Sequence, residues 1–204
     1  MKMETILELD KKILLYLNSL HVDWMDSIVL VATQTYTWIP LYIFLLYLIF
    51  RDYKKEGWII LLGIVITLVL TDRITSGLMK PYFERWRPSR EPTLEGLVHL
   101  VKDFNGNLYY GGKYGFASSH AANTFGAATF FFLLFRKTRK WIVWLFLWAT
   151  VMTYTRIYLG VHYPGDIIVG GIVGALCGAI GYFLSQWVKN KIDQRALDKK
   201  ITSD

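Results

Sequence analysis

The segment TRIYLGVHYPGD at residues 155–166 places an arginine, a histidine and an aspartate beside long apolar runs. Pro164 suits the first position of a helix, which would leave His162 just before that helix and Asp166 in its first turn. Asp166 could then accept a hydrogen bond from one imidazole nitrogen and leave the other free to attack an electrophile. A histidine and an aspartate four residues apart could instead be two ligands of a metal ion.

A second polar cluster, KPYFERWRP at residues 80–88, carries Lys80 and Arg87 seven residues apart. On a helix this spacing is two turns, so both cations would lie on one face. Two cations on one face suit an anion, although both side chains could instead extend from a helix end to the membrane surface. With Arg156 they would oppose a metal cation and favour a phosphate, which arginine binds through two parallel hydrogen bonds.

The third cluster is YGFASSHAANTF at residues 114–125. Ser118 and Ser119 precede an apolar run and so predict a helix start, where hydroxyls and free backbone N–H groups suit an oxyanion. His120 falls in the first turn, where a histidine can also be purely structural. Together, the three clusters predict a phosphotransfer site that needs no metal and no cofactor. In this site His162 is the nucleophile and His120 the proton donor.

The elements that must position these clusters are apolar. Hydrophobic residues make up 53% of the 204-residue chain and aromatic residues 16%, which exceeds the usual content of a soluble domain. Five runs reach or approach the roughly 20 residues that span a bilayer: residues 27–50, 57–79, 117–135, 141–159 and 165–188. We therefore predict an all-α, polytopic membrane helix bundle with about five transmembrane helices.

Residues 1–20 have a different pattern. Charged residues interrupt any apolar run, but one helical face is apolar. Its members are Ile6, Leu9, Ile13, Leu17 and Leu20. This pattern predicts an amphipathic helix that lies in the membrane interface.

The basic residues predict the orientation of the bundle. The turns at residues 51–55 and 136–140 are short and strongly basic, which places them, with the basic tail at residues 189–204, in the cytoplasm. The loop at residues 80–116 is then extracytoplasmic, and the alternation of the spans brings all three polar clusters to that face. The same distribution explains the net charge of +7 without a nucleic-acid partner. The whole chain, residues 1–204, forms one membrane-embedded domain.

The three clusters resemble the motifs of the type 2 phosphatidic acid phosphatase superfamily. The matching patterns are K-x6-RP at residues 80–88, the serine-histidine block at residues 118–120, and R-x5-H-x3-D at residues 156–166. They occur in the family's order and spacing, and the resemblance covers about residues 20–188. It implies an integral-membrane lipid phosphatase of bacterial type in the inner membrane, with the active site facing the periplasm or the cell exterior.

The resemblance also implies a role for each matched residue. Five groups would bind the phosphate: Lys80, Arg87, Ser118, Ser119 and Arg156. His162 would form a phosphohistidine, Asp166 would hold it in position, and His120 would protonate the leaving oxygen and then activate water. The family usually has glycine where this chain has Ser119, and serine where it has Thr155.

The expected partners are the lipid bilayer and a membrane lipid phosphate or pyrophosphate. Undecaprenyl pyrophosphate and lipid A are the favoured substrates, with phosphatidylglycerol phosphate and phosphatidic acid as alternatives. The segment at residues 89–114 is the candidate selector of the headgroup. A non-catalytic lipid-binding or transport protein is the alternative of another class, but it would not need both histidines and Asp166.

Overall fold

The computed structural model describes residues 3–201, and within that range the regular structure is helical, without a β-strand. The described residues form eight α-helices: α1 (Met3–Asn18), α2 (Asp23–Ala32), α3 (Ile39–Tyr53), α4 (Gly57–Asp72), α5 (Lys80–Phe83), α6 (Ser119–Phe135), α7 (Trp144–Tyr158) and α8 (Pro164–Ile201). A π-helical turn at Arg73–Met79 joins α4 to α5 without a break in the helical path. The predicted helical fold is confirmed.

The basic turns lie together at one end of the bundle. The Tyr53 hydroxyl donates to the Leu134 carbonyl at 3.5 Å, and Lys189 pairs with Glu56 at 3.0 Å. The ends of α3 and α6, the start of α4 and the middle of α8 are therefore neighbours. The opposite end holds α5 and the starts of α6 and α8, so the alternation predicted for these helices brings the three polar clusters together.

Helix α8 packs closely along α6 because its contact face is built from glycine. Gly174 and Gly178 each face a backbone carbonyl of α6, and Gly170 faces the carbonyl of Ser118 just before it; a Cβ atom at any of them would collide with that carbonyl. Small residues four apart allow two backbones to approach closely, as in membrane helix pairs. The close approach extends to the helix starts, where the Ser118 N–H donates to the Asp166 carbonyl at 3.0 Å.

Between residues 3 and 201, two helical stretches are long and apolar enough to cross a membrane, Thr35–Phe83 and Pro164–Arg195. The first divides at Lys54, whose φ of +47° interrupts the helix between α3 and α4. Helices α6 and α7 have 17 and 15 residues, fewer than the roughly 20 of a full span. The membrane class is supported, and the count of about five spans stays a prediction.

The apolar run at residues 27–50 is not one helix, contrary to the prediction. Helix α2 ends at Ala32, a short 3₁₀ turn follows at Thr35–Trp38, and α3 begins at Ile39. Pro40 has no N–H to donate and fits the first turn of α3, where none is needed. Hydrophobicity alone does not show this break.

The N-terminal helix α1 has one exposed apolar face and one face that packs on the bundle. The predicted apolar face is exposed at Ile6, Leu9 and Ile13 and remains available for lipid. A second face docks on the bundle through Asp10, Leu14 and Asn18, which are four residues apart. Leu14 is fully buried, and the Asn18 amide donates to the Ile157 and Tyr158 carbonyls. The helix is confirmed for the described residues, its interfacial position stays a prediction, and residues 1–2 lie outside the described range.

The loop between α5 and α6 folds back over the end of the bundle. Glu84 ends α5 in the left-handed conformation, with φ +45°. Trp86 and Tyr114 then form an isolated antiparallel bridge, which brings the two arms of the loop together. At the other terminus α8 continues as a helix to Ile201, so most of the predicted basic tail is helical, and residues 202–204 lie outside the described range.

Candidate active site

His162 and Asp166 lie at the start of α8, as the sequence predicts. Helix α8 begins at Pro164, so His162 precedes it and Asp166 occupies its first turn. His162 Nδ1 lies 3.3 Å from Asp166 Oδ2, and the Tyr163 N–H donates to the same carboxylate oxygen at 3.0 Å. His162 is 2% exposed and Asp166 0%, so the pair is shielded from bulk water. In this dry setting a charged hydrogen bond is strong and directional.

The neighbours of His162 assign the proton on its ring. Arg87 Nη1 lies 3.1 Å from His162 Nε2, and a guanidinium group can only donate. Nε2 must therefore accept, which leaves the ring proton on Nδ1 to be donated to Asp166. Burial, followed by the positive charges of Arg87 and Arg156, holds the pKa of His162 well below its usual range. A neutral imidazole with a lone pair on Nε2 is the form that a nucleophile needs.

Arg87 reaches the site from the loop, which corrects the helical interpretation of its spacing from Lys80. The helix ends at Phe83, so the two cations do not share a helical face. Arg87 Nε donates to the Tyr114 carbonyl at 3.2 Å, and Nη1 donates to the Val161 carbonyl at 3.3 Å. Burial and the neighbouring charge of Arg156 lower the pKa of Arg87 to about 10, so it stays cationic at neutral pH.

Lys80 is held by hydroxyl groups. Its Nζ donates to Ser119 Oγ at 2.6 Å and to Ser76 Oγ at 3.1 Å. Thr75 and Ser76 Oγ atoms lie 2.8 Å from Ser119 Oγ. The π-helical turn supplies both hydroxyls, which the sequence patterns did not single out. Where the family usually has glycine, Ser119 therefore anchors the lysine that is expected to bind phosphate.

Ser118 is the N-cap of α6, as predicted. Its Oγ accepts from the Ala121 N–H at 3.3 Å, while its own N–H is bound to Asp166. The capping bond satisfies one of the free donors of the helix start. Ser118 thus fixes the start of α6 against the start of α8 and keeps its hydroxyl proton for another acceptor.

Two buried nitrogen atoms at the site lack a hydrogen-bond partner among the described residues, His120 Nε2 and Arg156 Nε. Arg156 is otherwise fixed, because Nη1 donates to Thr33 Oγ1 at 2.7 Å and Nη2 to the Tyr109 hydroxyl at 3.2 Å. Buried polar groups are normally paired, so an unpaired one calls for a partner that the protein itself does not supply. A phosphoryl oxygen can accept from Arg156 Nε, and a leaving oxygen can take a proton from His120.

Besides the hydroxyls of Thr75 and Ser76, sequence reasoning missed four groups that hold this site together. Thr33 and Tyr109 hold Arg156, and Arg85 and Asp10 lie beyond Asp166. Arg85 was visible as a second arginine in KPYFERWRP. Nothing local to Asp10, Thr33 or Tyr109 indicates their roles, because each meets its partner only in the folded chain.

Comparisons with known proteins found a matching family, similar sequences and a similar solved structure. The sequence pattern of the PAP2 superfamily matches residues 56–192. Lipid A 4′-phosphatases from Bacteroides thetaiotaomicron and Porphyromonas gingivalis are 36% and 33% identical to this chain, over 89% and 93% of it and 79% and 78% of their own lengths. The crystal structure of Aquifex aeolicus LpxE is similar, with 27% identity and a TM-score of 0.57 over 85% of this chain and 94% of that one.

Proposed function

This chain belongs to the PAP2 superfamily and is a lipid phosphate phosphatase, and we propose that it removes a phosphate from lipid A through a phosphohistidine at His162. The observation that carries the proposal is the pair of contacts made by the His162 ring, from which its tautomer follows. Its Nδ1–H faces Asp166 and its unprotonated Nε2 faces a cation. That arrangement prepares Nε2 to attack a phosphorus atom whose oxygens Arg87 and Arg156 neutralise.

The reaction takes place in two displacements. Nε2 of His162 bonds to phosphorus as the bond from phosphorus to the leaving oxygen breaks, and that oxygen takes a proton from His120. Water then attacks the phosphohistidine, gives a proton to His120, and releases inorganic phosphate and the free imidazole. Arg87 must exchange its bond to Nε2 for a phosphate oxygen as the substrate arrives. One such acid-base group typically contributes about 10²–10⁴ in rate.

A cavity beside the site supports the proposal that the substrate is a lipid. This cavity of about 410 Å³ is lined by His120 and lies between α3, α4, α6 and α7. Its lining is mostly apolar, including Leu45, Ile64 and Phe131. A lipid chain in this cavity would bring its headgroup to the level of His120. The lipid A 4′-phosphatases among the relatives favour lipid A over undecaprenyl pyrophosphate.

The proposed setting is the inner membrane of a bacterium. The basic turns lie at the end of the bundle opposite the site, and the positive-inside rule assigns that end to the cytoplasm. The site, with the loop at residues 80–116, then faces the periplasm or the cell exterior. About five spans, one domain and an interfacial α1 complete this arrangement.

The test is phosphate release by the purified protein in detergent with EDTA. The substrates are lipid A, undecaprenyl pyrophosphate, phosphatidylglycerol phosphate, phosphatidic acid and a soluble ester. We expect the highest kcat/KM for lipid A, no loss with EDTA, and no release by His162→Ala. With radiolabelled lipid A, the wild type should trap an acid-labile phosphoprotein that His162→Ala lacks.

His21→Gln is the matched histidine control. His21 lies in the turn after α1, and among the described residues its ring hydrogen-bonds to the Asn18 carbonyl and stacks on the His99 ring. Melting temperatures of all variants establish that they are folded. A folded His162→Ala protein that still releases phosphate would overturn the proposed nucleophile. A loss of activity in EDTA that magnesium or zinc restores would overturn the metal-free mechanism.

A further inference from the structure

Beyond Asp166 the site continues into a second carboxylate. Arg85 Nη1 donates to Asp166 Oδ1 at 2.9 Å, and Nη2 donates to Asp10 Oδ2 at 2.7 Å. The guanidinium lies 3.9 Å from the centre of the Tyr163 ring, which fixes its plane. Arg85 therefore connects the first helix of the chain with the carboxylate that orients His162.

Asp10 is itself fixed at the start of α8. Its Oδ1 accepts from the Gly165 N–H at 2.8 Å, so a residue of α1 supplies a hydrogen bond that the first turn of α8 would otherwise lack. A Cβ atom at Gly165 would lie 2.8 Å from Asp10 Oδ2, so any larger residue there would displace this carboxylate. Asp10 is held in register by the burial of Leu14 one turn further along.

We propose that Arg85 and Asp10 are positioning residues of the phosphatase, which hold the Asp166 carboxylate ionised and turned so that Oδ2 faces His162 Nδ1. The proposal rests on the proposed function of His162 as the nucleophile. Asp166 is fully buried, and Oδ1 has Arg85 as its partner. Without that cation, burial favours a protonated or rotated carboxyl group, which no longer orients the imidazole.

The geometry explains why the residue is arginine. One guanidinium spans two carboxylates through separate nitrogen atoms, whereas a lysine ammonium is a point charge that cannot keep both bonds in the same plane. Asp10 in turn keeps Arg85 from rotating away. The two residues therefore act through Asp166, and neither is expected to touch the substrate.

The test compares kcat and KM for the best lipid substrate of the wild type, so a failure to use lipid A leaves the comparison possible. We expect Arg85→Met to lower kcat by about 10–100-fold, the range for losing a supporting hydrogen-bond partner of a site group, with KM nearly unchanged. Arg85→Lys should recover part of the loss. Asp10→Asn should lower kcat less than Arg85→Met, and Asp10→Glu less than Asp10→Asn.

A double variant tests whether the two residues act through one group. Arg85→Met combined with Asp10→Asn should be no slower than Arg85→Met alone, because the connection is already broken. Arg136→Met and Glu8→Gln are the matched controls, since both side chains are exposed and away from the site. Both should keep the wild-type kcat.

Three results would overturn the inference while leaving the nucleophile in place. They are an unchanged kcat in folded Arg85→Met, a change confined to KM, and multiplied effects in the double variant. If the wild type cleaves no lipid in the panel, the proposed function itself has failed. Trapping of the phosphoprotein in wild type and in Arg85→Met separates the two cases, because the positioning role predicts slower formation of the same species.

Discussion

Both ends of the helix bundle carry pairs of oppositely charged residues, but the pairs are exposed at one end and buried at the other. At the basic end, Lys189 pairs with Glu56, whose side chain is 40% exposed. At the site end, Arg85 pairs with Asp166, whose side chain is 0% exposed. Exposed pairs contribute little because water competes for both charges, whereas a buried charge without its partner is costly. The difference shows that the ion pairs whose loss would be costly lie at the site end of the bundle.

After loss of the nucleophile itself, the largest effect should come from Asp166→Asn at the site end. The amide can donate to His162 Nδ1 and so favour the tautomer with the proton on Nε2, which removes the attacking lone pair. We expect kcat to fall by roughly 10⁴-fold, as for Asp→Asn in a serine protease triad. The measurement is steady-state phosphate release with a melting curve. A folded variant within tenfold of the wild type would show that the buried pair is not required.

Ser119→Ala should produce a smaller effect at the same end. The variant removes the closest hydrogen-bond partner of Lys80 but leaves the bond to Ser76. A hydrogen bond to a charged group contributes about 1.5–3 kcal/mol, so we expect kcat/KM to fall by roughly 10- to 150-fold. Ser119→Thr keeps the hydroxyl and serves as the control. If Ser119→Ala is as active as Ser119→Thr and the wild type, Lys80 does not need the Ser119 hydroxyl.

Lowering the pH should reduce the stability of the folded protein more through the site end than through the basic end. Since the pKa of His162 is lowered in the folded protein, the unfolded chain binds more protons as pH falls below about 6.5, and stability falls with pH. Between pH 7.5 and 5.5 we expect this group to lower the melting temperature by a few degrees. His162→Gln should lack that component. An identical pH response in both proteins would contradict the lowered pKa.

The smallest effect is expected for Glu56→Gln at the basic end. The substitution removes one partner of Lys189 and leaves Asp193, which also lies 3.0 Å from Lys189. The free energy of unfolding should change by less than about 1 kcal/mol, and kcat should stay at the wild-type value. Thermal melts and the same assay measure both. A loss of activity here would show that the two ends are coupled.

The sequence predicted the parts of the site that depend on local rules. Pro164 and Ser118 start α8 and α6 as expected, because helix starts follow from the residues next to them. The membrane class likewise followed from composition. The alternation of apolar runs also predicted that the three clusters meet at one end.

The parts that the sequence did not predict depend on the path of the backbone. Arg87 enters from the loop because the helix stops at Phe83 and Glu84 turns left-handed, and no residue there requires that stop. Asp10 lies 156 positions before Asp166, so only the docking of α1 shows that they share Arg85. Propensity and periodicity describe single elements, and these contacts belong to pairs of elements.

The π-helical turn before Lys80 limits the deletions that this part of the chain can tolerate. A helix rotates by about 100° per residue, so deleting one position within Arg73–Met79 would turn Lys80 away from Ser119 while leaving every motif residue in the sequence. Substitutions on the outer side of this turn leave that angle unchanged. The length of the segment is therefore under stricter constraint than its composition, and a homologue one residue shorter here would need a different anchor for its lysine.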